Sequence, residues 1–321
     1  MQPGSIEISV KGKWVRVPAL EIDEKTIVVR GTWIKVARIH DEWWMESEIE
    51  DAGVLVDALK QQDSHGLHAD IFTFTQKVPG SPVRYNYLTE LESVAAIRIS
   101  NSEDWWKSLP QETRKNVRRS QKRGVTTSIR VFDDDLIKGI IEVNNDSPMR
   151  QGQANAYYGQ SLDQARKDYS GLLDRSEFIC ANVENEMIGF LKLVYKGEVA
   201  AILNLTVKVS HNDKRPANAL IAKAVELCEK RGASYLTYGL FNYGNKGDNP
   251  LREFKIRNGF KEVLTPRYYV PLTMWGTIAI KLGFHRGLLG ILPHNLITVG
   301  LNLRTRWYNL KRSSKAGVAQ C

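Results

Sequence analysis

Residues 199–241 read VAAILNLTVKVSHNDKRPANALIAKAVELCEKRGASYLTYGLF. The first nine run apolar, the pattern of a buried strand. A polar stretch, residues 208–215, leads to Pro216, which fits the first position of a helix. Ala217, Leu220, Ile221, Ala224 and Cys228 then recur on one helical face, and Gly232 closes the element. The final eight residues, SYLTYGLF, read as a strand again. Strand, helix and strand in one compact unit put the chain in the α/β class.

Working outward, the same logic orders the neighbouring elements. Upstream, SEFICANVE (176–184), MIGFLKLVY (187–195) and the quoted strand form a meander, with turns at Glu184-Asn185-Glu186 and Lys196-Gly197-Glu198. Before them come a basic helix ended by Gly124, the strand TTSIRVF, the helix DDLIKGIIEVNND and a second helix, LDQARKDYSGLLD (162–174). Downstream, Asn249 and Pro250 supply a cap and first position for a short helix, LREFKIRN, closed by Gly259. KEVLTPRYYVPLT then runs extended. At the N-terminus, residues 6–39 read as short strands, Asp51–Gln62 as a helix, ADIFTFTQ as a strand and VAAIRIS as another. No internal repeat shows in the residues themselves.

The 321 residues include 42% hydrophobic and 25% charged side chains, the balance of a soluble globular protein. Cys180, Cys228 and Cys321 are odd in number and far apart, which argues for a reducing compartment rather than a disulfide framework. The two internal ones read as small buried apolar residues. The six histidines make no metal-ligand pattern. The first residues lack the apolar core of a secretory signal. The net charge of +9 is concentrated. Residues 111–124 carry six basic side chains against Glu112, and the chain from Trp275 onward carries seven and no acidic one. Two local basic patches imply anionic partners, such as phosphates or an acidic membrane surface.

This element order is that of the GNAT superfamily, and Phe254-Lys255-x-x-x-Gly259-Phe260 after a helix is also typical of it. The segment Arg114-Lys-Asn-Val-Arg-Arg-Ser-Gln-Lys-Arg-Gly-Val125 resembles the basic helix that precedes the second half in Fem-type (FemAB-like) proteins, which add amino acids to peptidoglycan precursors. The resemblance covers residues 100–273. It implies a GNAT-like mixed sheet flanked by helices, in a tandem pair of GNAT-like halves with a degenerate first half. The expected units are residues 1–100, an acyltransferase domain over 101–273, and a basic, apolar tail over 274–321. The implied function is transfer of an acyl or aminoacyl group to an amine or hydroxyl of a phosphate-bearing, lipid-linked envelope glycan or precursor. The alternative is a non-catalytic GNAT-like protein that holds nucleic acid or anionic membrane.

One departure bears on the donor. GNAT enzymes cradle the pyrophosphate of acetyl-CoA with a glycine-rich turn at the start of the long helix, where free amides suit an anion. Here that stretch is His211-Asn-Asp-Lys-Arg-Pro-Ala-Asn218, without glycine. Lys214, Arg215 and Asn218 are left as side-chain ligands for a donor phosphate. Fem-type proteins resemble this chain in lacking the loop and use aminoacyl-tRNA. No bound cofactor is expected, and acyl-CoA and aminoacyl-tRNA both stand as donors.

Acyl transfer needs a held carbonyl, a neutral nucleophile and a protonated leaving group. By the resemblance, the slot lies between the strands at 199–207 and 234–241, with backbone near Leu203 to Thr206 on the donor carbonyl. Asn204 interrupts an apolar run there. Tyr238 and Tyr243 stand where a general acid is found in the superfamily, with Asn242 beside them. Lys255 matches the Phe-Lys position near the reacting centre. Arg114, Arg118 and Arg119 are the expected phosphate ligands, because residues four apart share a helix face. Arg150, Gln151 and Tyr158 lie on a loop that would cover the acceptor. The expected location is cytoplasmic, peripheral at the inner face of the membrane, with residues 275–312 on the lipid.

Overall fold

The computed structural model describes residues 4–10, 13–42, 49–62, 67–76, 78–150, 153–242 and 250–286. The first half contains β1 (Gly4–Val10), β2 (Lys13–Ile22), β3 (Lys25–Arg30), β4 (Val36–Ile39), α1 (Ala52–Gln62), β5 (Ile71–Thr75) and β6 (Leu88–Arg98). The second half opens with α2 (Ser102–Ser108) and α3 (Gln111–Lys122). It continues with β7 (Val125–Arg130), α4 (Asp134–Asn145), the short pair β8 (Met149–Arg150) and β9 (Gln153–Ala154), and α5 (Leu162–Tyr169). Then come β10 (Ser176–Val183), β11 (Glu186–Lys196), β12 (Val199–Val207), α6 (Pro216–Lys230), β13 (Tyr235–Leu240), α7 (Pro250–Arg257), β14 (Lys261–Pro271) and α8 (Met274–Lys281).

The two halves repeat one plan. In the first, β1 to β4 form an antiparallel run, α1 crosses over, and β5 returns parallel to β4, with Val36–Arg38 beside Ile71–Thr73. In the second, β7, β10, β11 and β12 form the antiparallel run, α6 crosses over, and β13 returns parallel to β12, with Val199–Ala201 beside Tyr235–Thr237. The next strand of each half is exchanged. β6 follows β5 in the chain but pairs with β13, while β14 follows β13 but pairs with β5. β6 and β14 pair with each other, which fuses everything into one twelve-stranded sheet. The repeat is thus one of topology, carried by side chains that have no common pattern.

The largest apolar cluster packs α6 onto the second half, through Leu220, Ile221, Ala224 and Cys228 against Ile179, Leu191 and Leu236. A second cluster packs α1 residues Leu55, Val56 and Leu59 onto Ile27, Phe72 and Phe74. Cys180 and Cys228 are both buried, and burial pushes each thiol up to about 12. The helix expected over 162–174 breaks after Tyr169. Ser170 caps it, Leu172 takes the left-handed conformation, and a 3₁₀ turn follows at Leu173–Arg175. α2 adds to the expected elements, its first turn closed by the Asn101 side chain on the Asp104 amide. The cap expected at Asn249 lies outside the described residues. Among the described residues, no helix is long and apolar enough to cross a membrane.

α8 does not stand away from the protein. Gly276 lies so close to the first half that a Cβ there would sit 1.9 Å from the Asp70 carbonyl oxygen. Ala279 is fully buried, and beyond the helix His285 packs on the Tyr269 ring and bonds Glu90. The stretch 275–286 is thus seated on the first half along one face. Its inner face belongs to the protein, and the Trp275 indole donates to the Trp33 carbonyl.

Candidate active site

The parallel pairs are short, and their strands separate beyond the third paired residue. Each strand of the second pair carries a bulge at the point of separation. In β12, Lys192 faces Asn204 while Leu193 faces Ile202, so Leu203 is the extra residue. In β13, Thr237 faces Ala96 while Leu240 faces Val94, so one residue of Tyr238-Gly239 is extra, and Gly239 adopts φ +55°. Bulges free backbone groups from the ladder and re-aim side chains. A cavity of about 480 Å³ opens here, bounded by Leu203 on one strand and Tyr238, Gly239 and Leu240 on the other.

The same cavity reaches the separating ends of the first half's pair, where Arg38, Glu42 and Gln76 line it. Its floor is the centre of the sheet. Thr265, Arg267 and Tyr269 of β14 and Glu92 and Val94 of β6 alternate along their strands and therefore share one face. This floor is polar and buried. Arg267 is 5% exposed, with Nη2 2.5 Å from Glu42 Oε1, Nε 2.6 Å from Glu92 Oε1 and Nη1 3.3 Å from Thr73 Oγ1. Burial disfavours its charge, but Glu42 and Glu92 outweigh that and hold the guanidinium firmly protonated. Taking such a network out of water costs several kcal/mol per ion before pairing. It forms the polar floor of the cavity at the middle of the sheet. None of these five polar residues (Arg38, Glu42, Gln76, Glu92, Arg267) stood among the sequence candidates. The available signal was phase: Arg267 alternates with Thr265 and Tyr269, and Glu92 with Val94, so charge falls on an inward face.

Lys255 is fully buried on α7 and does not line the cavity. Its Nζ donates to the carbonyls of Tyr238 (2.6 Å) and Leu240 (2.7 Å), the two that flank Gly239, and lies 4.6 Å from the centre of the Tyr238 ring. Desolvation lowers its pKa to about 8. It braces the β13 bulge from behind the cavity wall. Tyr238 lines the cavity, half-buried, with its ring 5.9 Å from that of Phe260. Asn204 is half-buried opposite Lys192 and is not part of the lining; the adjoining Leu203 is. Asn242 is engaged at both ends, donating to Glu262 and Ser93 and accepting from Arg252. Tyr243 and Gln151 lie outside the described residues.

Other candidates are tied into the frame. Arg150 donates to the carbonyls of Val143 (2.7 Å) and Val207 (3.2 Å) and so joins α4 to the end of β12, while its buried Nε has no acceptor among the described residues. Burial lowers its pKa. Tyr158 is exposed. Asn218 bonds Asn258 and links α6 to α7. On α3, Thr113, Val117 and Ser120 are buried and the basic side chains face outward. Arg118 stacks on the Trp106 ring at 5.5 Å, Arg119 is half-buried beside Asn116, and Arg114 is half-buried. Thr113 donates to the Arg257 carbonyl, which joins this basic helix to the end of α7.

The start of the loop before α6 is tied to the end of α4. The Asp146 carboxylate accepts from the amides of Val209 (2.5 Å) and Ser210 (3.3 Å) and from the Ser210 hydroxyl (2.5 Å). Burial opposes ionisation there, yet these bonds prevail and lower its pKa. At the helix start Pro216 has no N–H, and the amides of Asn218 and Ala219 return to the Arg215 carbonyl. Lys214 is half-buried and Arg215 exposed, the latter left-handed at φ +59°.

No family model matches the chain, and no curated protein does. Solved structures do match. FemX is 11% identical, over 83% of this chain and 88% of that one, with a TM-score of 0.57. L-PGS from Bacillus licheniformis is 13% identical, over 82% and 87%, at 0.55. The C-terminal domain of a putative lysylphosphatidylglycerol synthetase from Agrobacterium fabrum is 12% identical, over 82% and 86%, at 0.51. With its exchanged strands and two parallel pairs, the chain has the GNAT-like, Fem-type fold that these structures share.

Proposed function

We propose that this protein is an acyltransferase that moves an aminoacyl group from an RNA ester to an amine or hydroxyl of a phosphate-bearing acceptor. The observation that carries this reading is the cavity placed at the open ends of both parallel strand pairs, with a bulge on each strand of the second pair. The donor carbonyl would enter between Leu203 and Tyr238, where bulged backbone offers hydrogen bonds to a developing oxyanion. The Tyr238 hydroxyl would protonate the leaving oxygen. Lys255 would hold the bulge in register and lend positive charge behind it. The acceptor would approach from the first half.

The loop before α6 favours RNA over coenzyme A as donor carrier, because the stretch His211–Asn218 has no glycine and begins its helix with Pro216, which lacks an N–H for a pyrophosphate. The outward cations of α3 would grip phosphates of the RNA or of the acceptor. The neighbour named as a lysylphosphatidylglycerol synthetase points to aminoacyl chemistry at a lipid headgroup, and one surface suits that setting. Trp33 is 89% exposed and Met274 81%, and Ile278 and Leu282 are exposed one and two turns further along α8. Lys281 on the same helix supplies charge for an anionic bilayer.

The test is discharge of a mixed aminoacyl-tRNA pool beside a mixed acyl-CoA pool, followed by mass spectrometry. Loss of one aminoacyl-tRNA species, dependent on Tyr238, is the expected result. Loss of an acyl-CoA instead would overturn the donor assignment, and loss of neither would favour a protein that only binds.

A further inference from the structure

A second cavity, of about 280 Å³, opens at the other end of the first half's parallel pair. Its polar lining is Arg30 at the end of β3, Lys35 just before β4 and His68 just before β5, and the rest is apolar or glycine. It is separate from the first cavity. Arg38, which lines that one, follows Lys35 by three residues, or roughly 10 Å of strand. His68 is engaged, its Nε2 3.2 Å from Asp70 Oδ1, and Asp70 also accepts from the Lys35 amide (2.8 Å) and the Thr273 hydroxyl (3.0 Å). The Arg30 and Lys35 side chains are exposed and form no ion pair among the described residues.

The turn from Gly31 to Lys35 borders this cavity. Gly31 sits at φ +119°, and a Cβ there would stand 1.9 Å from the Ile34 carbonyl oxygen, so the turn closes only on glycine. It carries Trp33 outward into solvent, and the Trp33 carbonyl accepts from the Trp275 indole. α8 therefore starts beside the cavity, with Thr273 both bonded to Asp70 and capping the helix at Gly276. The helix is inverted in its use of side chains. Its buried positions are small, Gly276 and Ala279, whereas Met274, Trp275, Ile278 and Leu282 are large, apolar and exposed. Those four recur at steps of three or four residues, so they form one outward stripe. A stripe of that kind next to an exposed indole is the mark of an interaction surface.

We infer that this end of the first half docks on an anionic bilayer, with Trp33 and the α8 stripe in the interface and one lipid phosphate in the second cavity, held by Arg30 and Lys35. Charge decides the occupant. Arg30, Lys35 and Lys281 accompany the apolar stripe, and α8 has no acidic residue. The chain beyond Arg286 carries five basic residues and no acidic one, and a second copy brings the same net +9, so neither meets these cations. An anionic lipid surface meets the cations and the apolar stripe together. The guanidinium fork and the ammonium both suit phosphate oxygens. The cavity is smaller than those of about 300 Å³ and above that enclose whole drug-sized ligands. That size fits a headgroup whose acyl chains stay in the bilayer. The lipid here is an anchor and leaves the first cavity to the reaction. Its purpose rests on the transfer reading above, in which the anchor holds the enzyme beside a membrane-borne acceptor.

Vesicle co-sedimentation of the full chain tests this without any turnover. At low salt the chain should partition onto phosphatidylcholine vesicles containing phosphatidylglycerol at least about tenfold more strongly than onto phosphatidylcholine alone, and rising salt should release it. Vesicles brought to the same surface potential with oleate, which has no phosphate, should bind it about threefold more weakly or worse. Arg30→Gln with Lys35→Gln should weaken binding to the phosphatidylglycerol vesicles by about tenfold or more, since each cation at an anionic surface is worth about fivefold. Trp33→Ser with Ile278→Ser should weaken it to a similar degree. All four side chains are exposed, so the fold should survive, and if the second pair fails to fold, Trp33→Ser alone decides. Lys138→Gln with Lys230→Gln, two exposed lysines of the second half, should bind as wild type. The inference is overturned if the chain ignores phosphatidylglycerol vesicles, if neutral or oleate vesicles bind it as well, if the control pair weakens binding as much as the cavity pair, or if either folded test pair binds unchanged. Such a failure would leave the tRNA discharge assay untouched, and a failed discharge assay would leave a measured lipid site standing.

Discussion

The Lys255 ammonium lies 2.6 Å from the Tyr238 carbonyl oxygen and 4.6 Å from the centre of the Tyr238 ring, so one buried cation fixes both the backbone and the side chain of the residue that walls the cavity. Lys255→Ala should lower transfer by at least about tenfold through loss of this bracing and charge. Lys255→Met, which keeps the volume, should cost transfer more than it costs the fold.

The same lysine gives a pH signature. Its pKa is lowered to about 8 from 10.5. Below about 8 both folded and unfolded chains hold the proton, and the folded state bears the full desolvation cost. Between about 8 and 10.5 only the unfolded chain holds it, so stability rises with pH, with a slope of at most about 1.4 kcal/mol per pH unit for this group. Urea unfolding across that range should show a smaller rise in Lys255→Met than in wild type. Equal slopes would mean that the lysine is not desolvated.

Arg267 holds two buried carboxylates. Arg267→Met should destabilise the fold by about 3–5 kcal/mol, because Glu42 and Glu92 are left without their counter-ion. Adding Glu42→Gln to that variant should recover part of the loss. Chemical denaturation of the three proteins checks this, and an additive double variant would deny the coupling.

At Gly276 there is no room for a side chain. Gly276→Ala should cost about 2 kcal/mol or more, since Cβ would meet the Asp70 carbonyl at 1.9 Å and backbone cannot rotate away. A thermal melt unchanged from wild type would show that α8 does not seat there.

Much of this fold was legible in the sequence. Pro216, the α6 apolar face and Gly232 marked the crossover helix, and Glu184 and Gly197, both at positive φ, mark the meander turns. The exchange of β6 and β14 was not legible, because strand partners far apart in sequence leave no local pattern. The site was only partly legible. Tyr238, on the cavity wall, and Lys255, behind it, were singled out by position in a resembling order of elements. Arg38, Gln76, Glu92 and Arg267 were missed because they meet only through the exchanged strands, and because a charged residue in a strand reads by default as solvent-facing. Arg150, read as a loop ligand, donates through Nη1 and Nη2 to the Val207 and Val143 carbonyls.

The outward-facing cations of α3 should matter for phosphate-rich ligands alone. Arg114→Ala with Arg118→Ala should weaken binding of bulk tRNA and flatten its salt dependence, the slope falling by about one for each phosphate no longer gripped, without unfolding the chain. Unaltered affinity in filter binding would make the patch a solvated face.

The central claim is that the donor's acyl group sits between the bulged strands β12 and β13. The most direct measurement is binding of a 3′-aminoacylamino-3′-deoxyadenosine, in which an amide replaces the reactive ester, to wild type and to Leu203→Trp, with amide hydrogen exchange as the readout. The account predicts protection at Leu203 to Leu205 and at Tyr238 to Leu240 in wild type, and loss of both binding and protection when tryptophan fills the slot. Binding that survives Leu203→Trp in a folded protein, or protection confined to other elements, would contradict it.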